Sequence, residues 1–166
     1  MYINFWYPVS KSDELDNKKG FRVRLLGLDF VAFRDAAGAA HVLSDTCIHR
    51  GGALGKGIVK DGCIQCPYHG WTFDGDGRCT SIPSLGDKQK MPARAKVDSY
   101  PVQEKYGIVF AFLGDLPEAE RPPLYHIPEF DDPEWRANEL VVFEVDYYYE
   151  RSVENGLDPA HNEFVH

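Results

Sequence analysis

Cys47-Ile48-His49-Arg50-Gly51-Gly52 and Cys66-Pro67-Tyr68-His69-Gly70-Trp71 decide how this chain is read; sixteen residues separate His49 from Cys66. Each stretch couples one thiol to one imidazole, first as C-x-H and then as C-x-x-H. Mixed pairs of this kind suit an asymmetric two-iron cluster, because two thiolates can hold one iron while two neutral imidazoles hold the other. Glycines directly after each pair permit tight turns and close backbone approach, so amide N–H groups can point at cluster sulfides. Pro67 and these glycines predict two loops rather than helices.

A structural zinc site is the bland alternative, since two cysteines and two histidines are chemically adequate for it. Zinc sites usually pair like ligands, as C-x2-4-C and H-x3-5-H, whereas here each knot mixes one Cys with one His.

The runs C-x-H-R-G and C-P-Y-H-G-W resemble the Rieske [2Fe-2S] domain, in the form found in Rieske non-heme iron oxygenases. The resemblance implies that Cys47 and Cys66 hold one iron and that His49 and His69 hold the other. Respiratory Rieske proteins carry an extra cysteine in each cluster loop, joined as a disulfide. Here Arg50-Gly51-Gly52 and Pro67-Tyr68 contain none, which points to the oxygenase or ferredoxin branch. The two remaining cysteines, Cys63 and Cys79, read as small buried hydrophobes. Nothing in the count of four requires an oxidising compartment.

A chain of 166 residues, 43% hydrophobic and 13% aromatic, can bury one good core, or one domain plus part of another. A net charge of -8 with no basic stripe argues against nucleic acid or an anionic membrane as partner. Residues 1–8 are too short an apolar stretch for a signal sequence and lack a leading basic segment. No run approaches the roughly 20 apolar residues that span a bilayer, so a cytoplasmic location is expected.

Outward from the ligand knots, the first two thirds read as short strands between turn signals. Residues 21–26 and 29–34 flank Gly27-Leu28, and Asp35-Ala36-Ala37-Gly38 precedes a strand over 40–43. Asp74-Gly75-Asp76-Gly77 separates 71–73 from 78–80, and strands over 97–103 and 106–113 close the domain. The predicted fold is mainly β: a small antiparallel barrel or sandwich over residues 1–116, with the two cluster loops at one end.

Residues 117–138 hold Pro117, Pro122, Pro123, Pro128 and Pro133 among acidic residues and read as an extended linker. Residues 139–149 alternate weakly and read as a strand that opens an α+β domain over 139–166. In that tail Asp158 and His161 lie three apart, so a helical turn would place them on one face, and His166 follows five further on. Two histidines supply two legs of a facial triad for non-heme Fe(II), whose third leg is a carboxylate. By itself D-x-x-H-x-x-x-x-H is a weak pattern that fits a solvent-exposed or capping role better than a metal site.

Following a Rieske-like domain, Glu154, Asn155, Asp158, His161 and His166 match E-N-x-x-D-x-x-H-x-x-x-x-H, which resembles the start of the catalytic domain of Rieske oxygenases. The resemblance implies that His161 and His166 bind a mononuclear Fe(II). It also implies that Asp158 hydrogen-bonds a cluster histidine of a neighbouring subunit and passes electrons across the interface. The variant Asn155-Gly156-Leu157-Asp158-Pro159-Ala160-His161, with Phe5-Trp6-Tyr7-Pro8-Val9, looks most like the pheophorbide a oxygenase and vanillate demethylase branch. Tyr149 stands where many relatives have Trp. The family's third iron ligand is a carboxylate far downstream, so the chain is expected to be the N-terminal portion of a longer oxygenase.

The implied activity is O2-dependent hydroxylation or oxidative dealkylation of a small organic, expectedly aromatic, substrate. Electrons would come from a separate reductase or ferredoxin, because no G-x-G-x-x-G dinucleotide-binding turn is present. A homotrimer is expected of the full-length protein. The alternative is a stand-alone Rieske ferredoxin that does no chemistry on substrates, for which the histidine pair has no use. His41 and His126 read as packing or hydrogen-bonding residues, and Arg50 and Trp71 as residues that fix loop geometry. Ile82-Pro83-Ser84 reads either as a third loop over the cluster or as an ordinary turn.

Overall fold

The computed structural model describes residues 3–86, 91–138, 142 and 144–165. Its strands are β1 (Phe5–Lys11), β2 (Phe21–Leu25), β3 (Leu28–Arg34), β4 (Ala40–Ser44), β5 (Ile58–Lys60), β6 (Cys63–Gln65), β7 (Thr72–Phe73), β8 (Cys79–Ser81), β9 (Ser99–Tyr100), β10 (Val102–Lys105) and β11 (Ile108–Leu113). They form three antiparallel sheets, ordered β1-β11-β10, β2-β3-β4-β9 and β5-β6-β7-β8. The fold is mainly β, as read from the sequence. Of the two forms expected, the described sheets stay open and layered rather than closing into a barrel.

The middle sheet decides where the core lies. Side chains alternate across a strand, so the apolar run Phe30-Val31-Ala32-Phe33 of β3 can serve two cores at once. Phe30 and Ala32 pack with Val9, Val109 and Ala111, while Val31 and Phe33 pack with Leu54, Ile64 and Phe73. Each of the buried Val, Leu, Ile and Phe side chains contributes about 1.5–3 kcal/mol. The second core also takes in Cys47, Cys66 and Cys79, so the β5 to β8 sheet and both ligand loops are built onto it.

Three two-residue hairpin loops set the register. Leu26-Gly27, Asp61-Gly62 and Tyr106-Gly107 all have positive φ at both positions, the geometry that matches strand twist. The first turn therefore falls one residue earlier than the expected Gly27-Leu28, and β2 and β3 pair Leu25 with Leu28. The expected single strand over 97–103 is two short ones, β9 and β10, separated by Pro101, which has no N–H for a ladder.

Contacts divide the chain into residues 1–135 and 136–166. Within the first unit the proline-rich segment is fastened to the β1-β11-β10 sheet. Trp6 Nε1 donates to Pro122 O at 2.7 Å. The Tyr106 hydroxyl accepts from Ile127 N at 2.7 Å and donates to Tyr125 O at 3.0 Å, and its ring meets Phe130 edge-on at 4.7 Å. Arg121 lies over the Phe112 ring and donates from Nε to Leu116 O at 3.1 Å.

The second unit departs from the expected strand. Residues 139–141 and 143 lie outside the described residues, residues 144–148 form no strand, and Tyr149 opens helix α1 (Tyr149–Leu157). Tyr149, Val153 and Leu157 recur every fourth residue, a helical period that the tyrosine run hides from a period-two reading. Asp158 then caps a 3-10 turn over Pro159–His161 by accepting from Ala160 N at 3.1 Å, and α2 (Asn162–Val165) follows. Among the described residues no helix is long and apolar enough to cross a membrane.

Candidate metal centre

The two ligand loops share one backbone scheme. In the first, Cys47 N donates to Gly52 O and Gly51 N donates to Cys47 O, both at 2.9 Å. In the second, Cys66 N donates to Trp71 O at 2.8 Å and Gly70 N to Cys66 O at 3.0 Å. Each loop thus closes between a cysteine and the fourth and fifth residues after it. The fourth is a glycine at φ +70 (Gly51) or +73 (Gly70), a region in which a Cβ is strained. The scheme explains why each motif needs glycine at that spacing.

Closure buries the cysteines and exposes the histidines. Cys47 and Cys66 are each 2% exposed, whereas His49 and His69 lie at the surface. The two thiols adjoin each other. The two imidazoles face each other, ring centres 4.5 Å apart with planes at 67°. The loops therefore pair thiol with thiol and imidazole with imidazole, although each motif mixes them.

Burial pushes the Cys47 thiol up to about 11, and the adjoining Cys66 thiol pushes it the same way; the backbone N–H groups of His49 and Arg50 pull it back. Two thiolates held side by side there need a compensating cation, and N–H groups aimed at sulfur suit a metal-bound thiolate. His49 is shifted down, first by desolvation and then by His69 and Arg50, which keeps its ring neutral and its lone pair available. Gly52 completes the cradle, because a Cβ there would lie 2.9 Å from Cys66 Sγ.

Pro83 leans on the second loop, its Cγ 3.1 Å from where a Gly70 Cβ would stand. Of the two readings of Ile82-Pro83-Ser84, the turn is the one seen: Pro83–Leu85 is a 3-10 turn, with Leu85 N donating to Ile82 O at 2.9 Å. The residues present fit a [2Fe-2S] cluster, with two inner sulfur donors and two outer nitrogen donors. Among the described residues, no three His, Cys, Asp or Glu side chains form a group that could hold a single metal ion.

Other sequence-marked residues fall elsewhere. Cys79 is buried in the core and Cys63 half-buried in β6, and neither forms a disulfide. His41, in β4, has its Nε2 2.9 Å from Asp35 Oδ2, a part-buried pair. Asp158 and His161 share the capped turn in the second unit, and His166 lies outside the described residues.

Sequence reasoning passed over Asp45. Its side chain is 2% exposed, accepts from Gly55 N and pairs with Arg22 Nε at 2.8 Å. A lone aspartate after a strand reads as a turn former, and only its burial marks it as a loop anchor.

Comparison with known proteins agrees with this geometry. Residues 5–101 match the Rieske [2Fe-2S] domain. The 4beta-methylsterol monooxygenase of Methylococcus capsulatus is 38% identical over 165 residues, 98% of this chain and 44% of that protein. The chloroplastic pheophorbide a oxygenase of Oryza sativa subsp. japonica is 35% identical over 180 residues, 100% of this chain and 33% of that protein. A crystal structure of dicamba monooxygenase with non-heme iron and dicamba superposes with a TM-score of 0.68 at 32% identity, over 80% of this chain and 40% of that one. The chain spans less than half the length of these relatives. With its cysteines paired together and its histidines paired together at twin loops, and oxygenases as its relatives, the chain belongs to the Rieske [2Fe-2S] domain family.

Proposed function

We propose that this chain is the electron-receiving portion of a Rieske oxygenase component, with Cys47, Cys66, His49 and His69 as cluster ligands. The observation that carries the reading is the sorting of buried thiols from surface imidazoles by two loops of one backbone design. A bound [2Fe-2S] cluster supplies one-electron transfer, and mononuclear ferrous iron supplies electrons to dioxygen.

The chain's residues do the rest. Buried Cys47 and Cys66 seal the inner side from water, and the exposed edges of His49 and His69 offer the short path to an outside redox partner. His161 and His166 would hold the mononuclear iron, with a carboxylate from elsewhere as third ligand. Asp158 would join a cluster histidine of a neighbouring subunit, in keeping with a homotrimer. A reductase or ferredoxin would deliver the electrons, and a small aromatic substrate would be hydroxylated or dealkylated, as the names of relatives that act on 3-chlorobenzoate and 5,5'-dehydrodivanillate suggest.

The test is iron and acid-labile sulfide per chain after anaerobic reconstitution, with visible and EPR spectra. Two irons, two sulfides and a spectrum lost in Cys66→Ser are expected, and a third iron if His161 and His166 also bind. A colourless protein that takes zinc and no sulfide overturns the reading.

A further inference from the structure

The two outer ligands differ in how they are held. His49 lies flat against Trp71, with ring centres 4.7 Å apart and planes 6° from parallel. Apart from His49 itself, the ring that His69 meets among the described residues is that of its own sequence neighbour, Tyr68, at 3.9 Å and a tilt of 37°, and Tyr68 is 62% exposed. Trp71 is better anchored. It packs half-buried on the core that holds both cysteines, and its carbonyl accepts the Cys66 N–H that closes the second loop.

The stack also crosses between loops, since His49 belongs to the first and Trp71 to the second. A flat wall on one side of an imidazole restricts its rotation about the terminal torsion, which is otherwise broad. The same wall is electron-rich, and an aromatic face attracts positive charge.

We propose that Trp71 is the positioning residue for the His49 ligand, setting the plane of its imidazole and biasing a bound cluster toward its oxidised state. The inference rests on the ligand assignment proposed above. An imidazole on the more oxidised iron carries more positive charge, and the indole face favours that form. Loss of the indole raises the reduction potential and frees the ring.

Two variants test this, W71L and W71F, against the parent chain. In the cluster-free protein, the ring protons of His49 are shifted upfield by the indole ring current; the shift disappears in W71L and is smaller in W71F. In the reconstituted protein, the midpoint potential moves upward in W71L with altered EPR g-values, and W71F falls between. An unchanged potential and spectrum in loaded W71L overturns the proposal, as do unshifted His49 protons in the parent. If W71L does not fold, W71F decides, and parental His49 shifts and potential in it overturn the proposal. A parent that takes up no iron and sulfide defeats the ligand assignment instead, while the cluster-free measurement still reports on the stack.

Discussion

Asp45 accepts the Gly55 amide hydrogen, and its own carbonyl accepts that of Leu54 at 2.8 Å, so one residue closes the base of the loop that carries Cys47 and His49. Arg22 clasps the same carboxylate at 2.8 Å and reaches Asp29 at 2.9 Å with its other arm. Gly55 has no room for a side chain, because a Cβ would stand 2.9 Å from Arg22 Cβ and 3.0 Å from Asp45 Oδ1. In the second loop the neutral side chains of Gln65 and Thr72 donate, from Nε2 and Oγ1, to Gly70 O.

Asp45→Ala strands the Gly55 N–H and removes a partner of Arg22, and an unmet buried donor costs about 1–3 kcal/mol. Urea unfolding should show that loss. Amide exchange should quicken over residues 46–55 more than over 66–71; equal quickening in both loops would mean that Asp45 does not act through the first loop.

The twin glycines separate backbone strain from crowding. Gly51→Ala meets open space and pays only for the left-handed backbone, about 1–2 kcal/mol. Gly70→Ala carries the same strain and also meets Pro83 Cγ at 3.1 Å. Thermal denaturation should rank Gly70→Ala as the less stable of the two.

Glu104 sits in a two-pronged pair with Arg34, at 2.7 and 3.1 Å, and the hydrogen bond from that guanidinium holds its carboxyl below the ordinary value of 4.5. A carboxyl lowered on folding adds stability above its unfolded pKa and loses it as pH falls through the folded one. Glu104→Gln should therefore be less stable than the parent at neutral pH, with the gap closing below pH 4.5. Denaturant midpoints across that range check it, and a constant gap would assign the loss to packing.

Asp158→Asn keeps the cap on the Pro159–His161 turn, since Asn caps as well as Asp. Helical circular dichroism and the cluster spectrum should be unchanged. If the proposed oxygenase role holds, electron delivery to the mononuclear site should slow in single-turnover experiments with a pre-reduced cluster, and parental turnover would dismiss Asp158 as a bridge.

The ligand motifs were legible because each packs a donor pair and its turn glycine into six neighbouring residues, and local backbone chemistry demands that spacing. The strand-rich first unit was legible for the same reason, through alternation and turn residues. Asp61-Gly62 is a strong hairpin turn, yet β5 before it is only three residues long and carries too little alternation to be read as a strand. The tail misled because Tyr147-Tyr148-Tyr149 fits a strand as well as a helix entry, and only the fourfold spacing of Tyr149, Val153 and Leu157 separates them.

By itself the sequence determined which residues could be ligands, where the chain must turn and that the family is Rieske-like, since these depend on near neighbours. The tertiary structure alone decided that thiol meets thiol and imidazole meets imidazole across two loops, that Trp71 stacks on His49, and that Trp6 and Tyr106 fasten a segment that reads as a linker. Trp6 and Pro122 are 116 residues apart, and no local preference encodes their meeting. Such contacts arise when sheets bury their apolar faces together, and that burial is a property of the whole fold.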